Sequence, residues 1–420
     1  MKIEIKEIAL NSMYLYLVQG LNFLLPLITL PYLLATLSVD SFGKYSFSFA
    51  FSQFIIIFVD FGFNLSATKK IAENFTNNKL IKNVFWKISI IKLIFLLLSF
   101  TIAIILIYTV DKISYYKEGI LVSFIMIFGT ALFPIWWFQG LNKMKILSII
   151  SASSKLLTYP LIFVFVKESD DSNFAIFFQS LSILLAGLFS YFYLFINFKD
   201  YFTNIKLERN YSEYYKEVKE AWPIFLSNSS ISLYTNSLTL LLGFFSSSYN
   251  VGLFGAMERI VRVVCFGVLG PVNQACFPII ARTKQIDFNK AKRIFKIVLA
   301  FITINLILAF LTYLLFENFI ILHFMNGYNN IEGMLTTFMF MIFPIAIGGV
   351  IGQLGLLGLG DYKHKKIFSK IYLITGLFSV PLSLILINLY EVEGAIISMM
   401  SVELIIFLIL IYFVKKYKFI

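Results

Sequence analysis

Glu258, Arg259 and Arg262 lie about halfway along an otherwise apolar run, Val251 to Ile280. A charged side chain near the centre of a bilayer costs roughly 2.5–3.5 kcal/mol on insertion scales, so such residues face a cavity or a partner. A spacing of four puts Glu258 and Arg262 on one helical face, where they can pair, and a spacing of three puts Arg259 and Arg262 on adjoining faces. One acid serves one arginine, which leaves a net positive charge inside the protein. Two chemistries fit this pattern. One is a buried ion-pair network that fixes helix packing; the other is a cationic anchor for an anionic substrate, to which the surplus charge points.

Five further charges fall within or near apolar runs: Asp60, Lys92, Lys155, Lys296 and Glu403. Lys155 and Glu403 stand about eight and nine residues into their runs, roughly 12–14 Å deep by the helical rise. Lys155 is therefore a candidate to line the same cavity from the other half of the chain, so that both halves grip one anion. Lys92 is a further candidate anion contact. Lys92, Lys296 and Asp60 also lie near the ends of their runs, where long side chains snorkel and an acid meets loop lysines. Glu403 reads as a packing partner or, with Asp60, as a site for ion coupling. Gln19, Asn22, Gln53, Asn228, Tyr234 and Asn236 offer amides and hydroxyls that suit sugars. The same groups act as interhelical glue worth about 0.6–2 kcal/mol each.

The elements that must position these residues are membrane helices. The 420-residue chain is 59% hydrophobic and 14% charged, with a mean hydropathy of +0.84, far outside soluble domains. A span needs about 20 mostly apolar residues. Twelve runs meet that need, at approximately 10–36, 44–64, 86–110, 119–138, 147–166, 173–197, 221–245, 250–275, 293–316, 332–354, 368–389 and 394–414. With both termini cytoplasmic, the inner loops and tails collect 26 Lys and Arg, against four on the other side, Lys44, Lys112, Lys117 and Lys167. An odd number of helices would destroy that alternation. The net charge of +12 therefore reads as topology, and nucleic acid is not a partner. The N-terminal apolar run is too long for a signal-peptide core and is expected to stay.

The longest internal loop, about Phe198 to Glu220, divides the chain into an N-terminal lobe, 1–205, and a C-terminal lobe, 206–420. Gly43 and Gly252, 209 residues apart, each follow the first helix of their half, an echo of internal repetition. Six helices per half make the repeats parallel. The expected fold is an all-α polytopic membrane protein with two six-helix bundles around a central cavity. Pro26, Pro31, Pro134, Pro223 and Pro271 interrupt helical ladders, which suits helices that bend. Cys265 and Cys276 are about 16 Å apart along one helix and cannot form a disulfide.

Enzymatic chemistry is poorly provided for. The two histidines, His323 and His364, lack metal-ligand spacing, and no phosphate-cradling glycine loop is present. Short outer loops argue against a membrane polymerase, and the lack of a histidine within the spans argues against an acyltransferase. A multidrug-type cation antiporter would need an acidic cavity, which the Arg259, Arg262 and Lys155 surplus opposes.

Several stretches resemble one family. Leu30-Pro31-Tyr32, Phe42-Gly43-Lys44-Tyr45 and Val59-Asp60-Phe61-Gly62-Phe63-Asn64-Leu65-Ser66-Ala67-Thr68-Lys69-Lys70-Ile71-Ala72 resemble the first two helices of the polysaccharide transporter family. Trp137-Phe138-Gln139-Gly140-Leu141-Asn142-Lys143-Met144-Lys145 is similar to its stretch after the fourth helix. Leu233-Tyr234-Thr235-Asn236-Ser237, Leu242-Gly243, and Val251-Gly252 through Met257-Glu258-Arg259-Ile260-Val261 resemble its seventh and eighth helices. These are Wzx-type flippases of the multidrug/oligosaccharidyl-lipid/polysaccharide exporter (MOP, MATE-like) superfamily. The resemblance implies a flippase in the bacterial cytoplasmic (inner) membrane that moves undecaprenyl-diphosphate-linked oligosaccharide outward by alternating access. It also implies membrane lipids as surroundings, and the polymerase and chain-length regulator of the same pathway as partners. Glu258-Arg259 falls where lipid II flippases of the superfamily carry an acid-arginine pair, which supports an anion role for Arg259. The chain departs from those flippases in having twelve expected helices rather than fourteen and no arginine in its first. No cofactor is implied. For two negative charges leaving an inside-negative cell, 100 mV favours export by roughly 5 kcal/mol. H+ or Na+ exchanged at Asp60 or Glu403 is the alternative source of direction.

Overall fold

The computed structural model describes residue 25 and residues 28–201, 211–325, 328 and 331–419, and among these every regular element is a helix. The first expected span lies mostly outside the described residues, as do Gln19, Asn22 and Pro26; its described end, 28–36, is α1. There follow α2 (Val39–Asp60), α3 (Phe63–Glu73), α4 (Asn78–Thr109), α5 (Asp111–Ser114), α6 (Lys117–Leu132), α7 (Ile135–Gly140), α8 (Met144–Phe165) and α9 (Ser172–Asn197). Next come α10 (Tyr211–Tyr234), α11 (Asn236–Phe245), α12 (Ser248–Ile286), α13 (Phe288–Phe324), α14 (Ile331–Met339), α15 (Ile342–Val350), a π-helical stretch Ile351–Leu359, and α16 (Tyr362–Lys416).

Among the described residues, eight stretches are long and apolar enough to cross a membrane. The last, Lys363–Lys416, is 54 residues long, about 80 Å of helix against a hydrocarbon core of about 30 Å. It breaks at Glu391, whose φ is 48°, and the Ser383 and Ser398 hydroxyls meet at 2.7 Å across the break. The chain therefore reverses there, and α16 holds the two runs expected at 368–389 and 394–414. The runs expected at 221–245 and 250–275 are covered by α10, α11 and α12. The loop expected around 276–292 is helical instead. α12 continues to Ile286, and the Asp287 side chain caps α13 by accepting from the Lys290 N–H at 3.0 Å, so one residue suffices for the turn.

The described residues form two compact units: the chain before Ser38 with Lys44–Ser229, and Ser38–Gly43 with Ser230–Ile420. The division falls inside α10 rather than in the loop near 205, because ion pairs hold the first turns of α10 to its own unit. Lys70 Nζ lies 2.7 Å from Glu217 and 3.3 Å from Glu220, and Lys87 Nζ lies 2.8 Å from Glu213.

In the first unit, the two family-like stretches prove to be packing devices. The chain turns at Gly62, whose φ of 79° places it in the left-handed region that glycine tolerates. A Cβ there would come within 2.8 Å of Ile224. Gly140 closes the other side of α3, where a Cβ would meet Ile71 at 2.7 Å. Trp136, Trp137 and Phe138 of α7 are buried with Phe63, Ala67 and Ile71 of α3 in one apolar core.

In the second unit, Gly43 and Gly252 lie against each other. A Cβ on Gly43 would stand 1.8 Å from the Ser248 carbonyl oxygen, and one on Gly252 would stand 2.1 Å from that of Val39. The first turns of α2 and α12 thus cross backbone to backbone, and Ser248 Oγ donates to Asp40 Oδ1.

Candidate functional site

In the second unit, α12 carries the central charges about 15 Å from its start. Arg262 donates from Nε at 2.9 Å and Nη2 at 2.7 Å to Oε1 of Glu258, one turn earlier, as the spacing of four predicts. The Arg259 guanidinium instead lies over the Phe42 ring, 5.1 Å from its centroid. The buried Tyr328 hydroxyl, which has no hydrogen-bond partner among the described residues, is within electrostatic range of Arg259.

The buried Glu403 of α16 faces the same region and interacts electrostatically with Arg262, Tyr234 and Tyr372. The Tyr234 and Tyr372 rings stack with centroids 6.3 Å apart. Two guanidiniums and two carboxylates therefore share this region. The surplus positive charge expected from the α12 trio is met, when Glu403 is ionised, by an acid more than a hundred residues away in sequence. Sequence reasoning missed this link, and no local spacing could have shown it.

In the first unit, α8 spans 22 residues and Lys155 lies at its midpoint, deeper than the sequence reading placed it. Among the described residues Lys155 makes no ion pair or hydrogen bond. Lys92 of α4 and Asp60 at the end of α2 do pair, with Nζ 3.1 Å from Oδ1 and the lysine side chain only 1% exposed. The expectation that Lys92 snorkels and that Asp60 meets loop lysines is thus corrected. The two spans bring the charges to the same depth, and a fully buried ammonium needs its counterion adjacent. Equal depth at the ends of neighbouring spans was the signal that could have found the pair. Lys296 is exposed.

The neutral polar candidates make contacts both between and within helices. Gln53 donates to Met126 Sδ at 3.5 Å, Asn236 donates to Ser232 Oγ at 3.1 Å, and Asn228 is exposed. Among the described residues no group of His, Cys, Asp or Glu could hold a metal. His364 serves structure, since its Nδ1 accepts from the Asp361 N–H at 2.9 Å in the cap of α16.

Outside the spans, hydrogen bonds from lysines hold two carboxylates below their ordinary range: Lys87 acts on Glu213 and Lys284 on Asp361. Lys284 Nζ lies 2.5 Å from Asp361 Oδ1 and 3.0 Å from the Gly360 carbonyl.

A family model described as polysaccharide biosynthesis protein matches residues 8–284. A relative from Escherichia coli (strain K12), named as an O-antigen transporter, is 32% identical over 97% of both chains. One of the same name from Shigella dysenteriae is 29% identical over 96% of this chain and 99% of its own. Among solved structures, the lipid II flippase MurJ in an inward closed conformation superposes with a TM-score of 0.72 at 17% identity, covering 97% of this chain and 87% of that one. An inward-facing multidrug resistance MATE family transporter of the MOP superfamily gives 0.69 at 14% identity, covering 94% and 95%. At these identities the structural likeness establishes the fold.

Proposed function

The chain belongs to the polysaccharide biosynthesis protein family, and we propose that it is a flippase for lipid-linked oligosaccharide in the bacterial inner membrane. Its substrate is a polyprenyl-diphosphate-linked repeat unit, undecaprenyl in the bacterial case. The diphosphate is held by the cationic side chains of the spans, and transfer proceeds by alternating access. Both termini lie in the cytoplasm, where the loop lysines are retained. The pathway's polymerase and chain-length regulator take the product on the far side.

The observation that carries this reading is Lys155. A lysine at the middle of a membrane span, without an acid among the described residues, needs an anion to offset its burial. Arg259, whose guanidinium lies over the Phe42 ring, adds a second cation of the type that binds phosphate through parallel donors. A cation antiporter would need buried acids free to take cations. Here Lys92 occupies Asp60 and Arg262 occupies Glu258; of Asp60, Glu258 and Glu403 only the last is left without a direct ion pair among the described residues, too few for a cavity built to take cations. Export of two negative charges is favoured by roughly 5 kcal/mol per 100 mV of inside-negative potential. Glu403, buried and without a direct ion pair among the described residues, is the acid placed to exchange H+ or Na+ against that flow.

The test uses cells whose chromosomal copy is deleted and scores surface glycan together with lipid-linked precursor on the inner face. Lys155→Ala should reduce surface glycan while precursor accumulates, and Lys155→Arg should restore part of the export. Normal export by a properly inserted Lys155→Ala protein would remove Lys155 from the substrate path.

A further inference from the structure

A second basic site lies outside the spans, within the first unit. The end of α3, the start of α4 and the start of α10 enclose a cavity of about 360 Å³. Lys70, Lys79, Lys87 and Lys216 line it together with Glu213 and Glu217, a lining charge of +2. The carboxylates are already engaged: Glu217 by Lys70 at 2.7 Å and Glu213 by Lys87 at 2.8 Å. Lys79 and Lys216 have neither an ion pair nor a hydrogen bond among the described residues, and the same holds for the side-chain amide of Asn83, which also faces the cavity. The spare positive charge is therefore local, and free donors surround it.

The position of the cavity identifies what reaches it. The apolar runs end near residue 64 and resume near residue 86, and the lining residues Lys70, Asn77, Lys79 and Asn83 fall between them, so the cavity sits just beyond the apolar part of these helices, at the level expected for headgroups. Phe75, Tyr211 and Tyr215 are exposed on the segments that bound it, as aromatic side chains are at membrane interfaces. Lysines present three donors each as point charges and suit phosphate oxygens without a fixed bidentate geometry. Basic pockets at the ends of membrane helices bind anionic headgroups, and about 300–1,000 Å³ is the usual size of a small-ligand site.

We propose that this cavity binds a phosphate group, carried by the headgroup of an anionic phospholipid, through Lys79, Lys216 and Asn83. The site is separate from Lys155 and Arg259 and does not depend on what the spans carry.

The test places the full-length protein in phosphatidylcholine nanodiscs doped with phosphatidylglycerol and counts retained phosphatidylglycerol by native mass spectrometry. Lys79→Ala/Lys216→Ala should lower retention about thirtyfold. Lys69→Ala/Lys219→Ala removes the same charge from exposed positions outside the cavity and should leave retention nearly unchanged. All four lysines are exposed, so melting temperatures should stay together and report intact folding. Equal losses in the two double variants would mean diffuse surface attraction, and no loss in the cavity variant would mean no site; either result overturns the proposal. Inorganic phosphate titrated into the protein in pure phosphatidylcholine discs separates the two sources. Binding that depends on Lys79 and Lys216 but shows no lipid selectivity would assign the cavity to free phosphate and overturn the lipid assignment.

Discussion

Lys92 and Asp60 form an ion pair at 3.1 Å in which the lysine is 1% exposed, joining the start of one span to the end of the span before it. A buried pair contributes little when compared with apolar packing, but breaking one side strands a charge at a cost of about 3–5 kcal/mol. Lys92→Ala and Asp60→Ala should each lower the melting temperature and membrane yield strongly, whereas Lys92→Met/Asp60→Leu should recover much of both. If the double variant melts no higher than the singles, the pair is not the unit of stability.

Arg259 and Arg262 should separate in their effects. Arg262→Ala strands Glu258 and should destabilise the purified protein by about 3 kcal/mol or more. Arg259→Ala removes a cation over Phe42, a contact worth roughly 0.5–2 kcal/mol. It should nevertheless abolish surface glycan while precursor accumulates on the inner face, with Arg259→Lys restoring part. Export that continues with Arg259→Ala would make this arginine a packing residue.

The crossing of Gly43 and Gly252 predicts steric intolerance. A methyl at either position meets a carbonyl oxygen at 1.8 or 2.1 Å, too close for any rotamer to relieve. Gly43→Ala and Gly252→Ala should each cost about 1–3 kcal/mol or more by overpacking, read as a loss of melting temperature. Gly267, where a Cβ meets nothing within 4 Å, should accept alanine and serves as the control.

The Lys284–Asp361 contact predicts a pH dependence. The lysine depresses the native carboxyl below its ordinary value of 3.8. The stabilisation is therefore fully present above that value and is lost as pH falls through the depressed native one. Asp361 is exposed, so the effect is small. In detergent at neutral pH, Asp361→Asn should melt slightly below the parent, and the gap should close as the pH is lowered under 3.8. A gap that is constant with pH would assign the effect to the helix cap alone.

The parts legible in the sequence were those governed by local spacing. The Glu258–Arg262 pair follows from a helical offset of four, and the spans follow from length and hydropathy. The two glycines were visible as an echo between halves, but their contact was not, because a 209-residue separation says nothing about distance. Lys92 was misread for the same reason, since its partner lies in the preceding span. The stretches Val59–Ala72 and Trp137–Lys145 carried the family resemblance without revealing their physical role. Only the structure shows that Gly62 and Gly140 clear room for Ile224 and Ile71. The link from Arg262 to Glu403 required the fold itself.

The reversal at Glu391 is achieved by a single residue, with a Gly394 Cβ position 2.0 Å from the Leu386 carbonyl oxygen, so the last two passes have no slack between them. Length there becomes orientation. One residue inserted after Glu391 would turn the following helix by about 100°, carrying Glu403 away from Arg262.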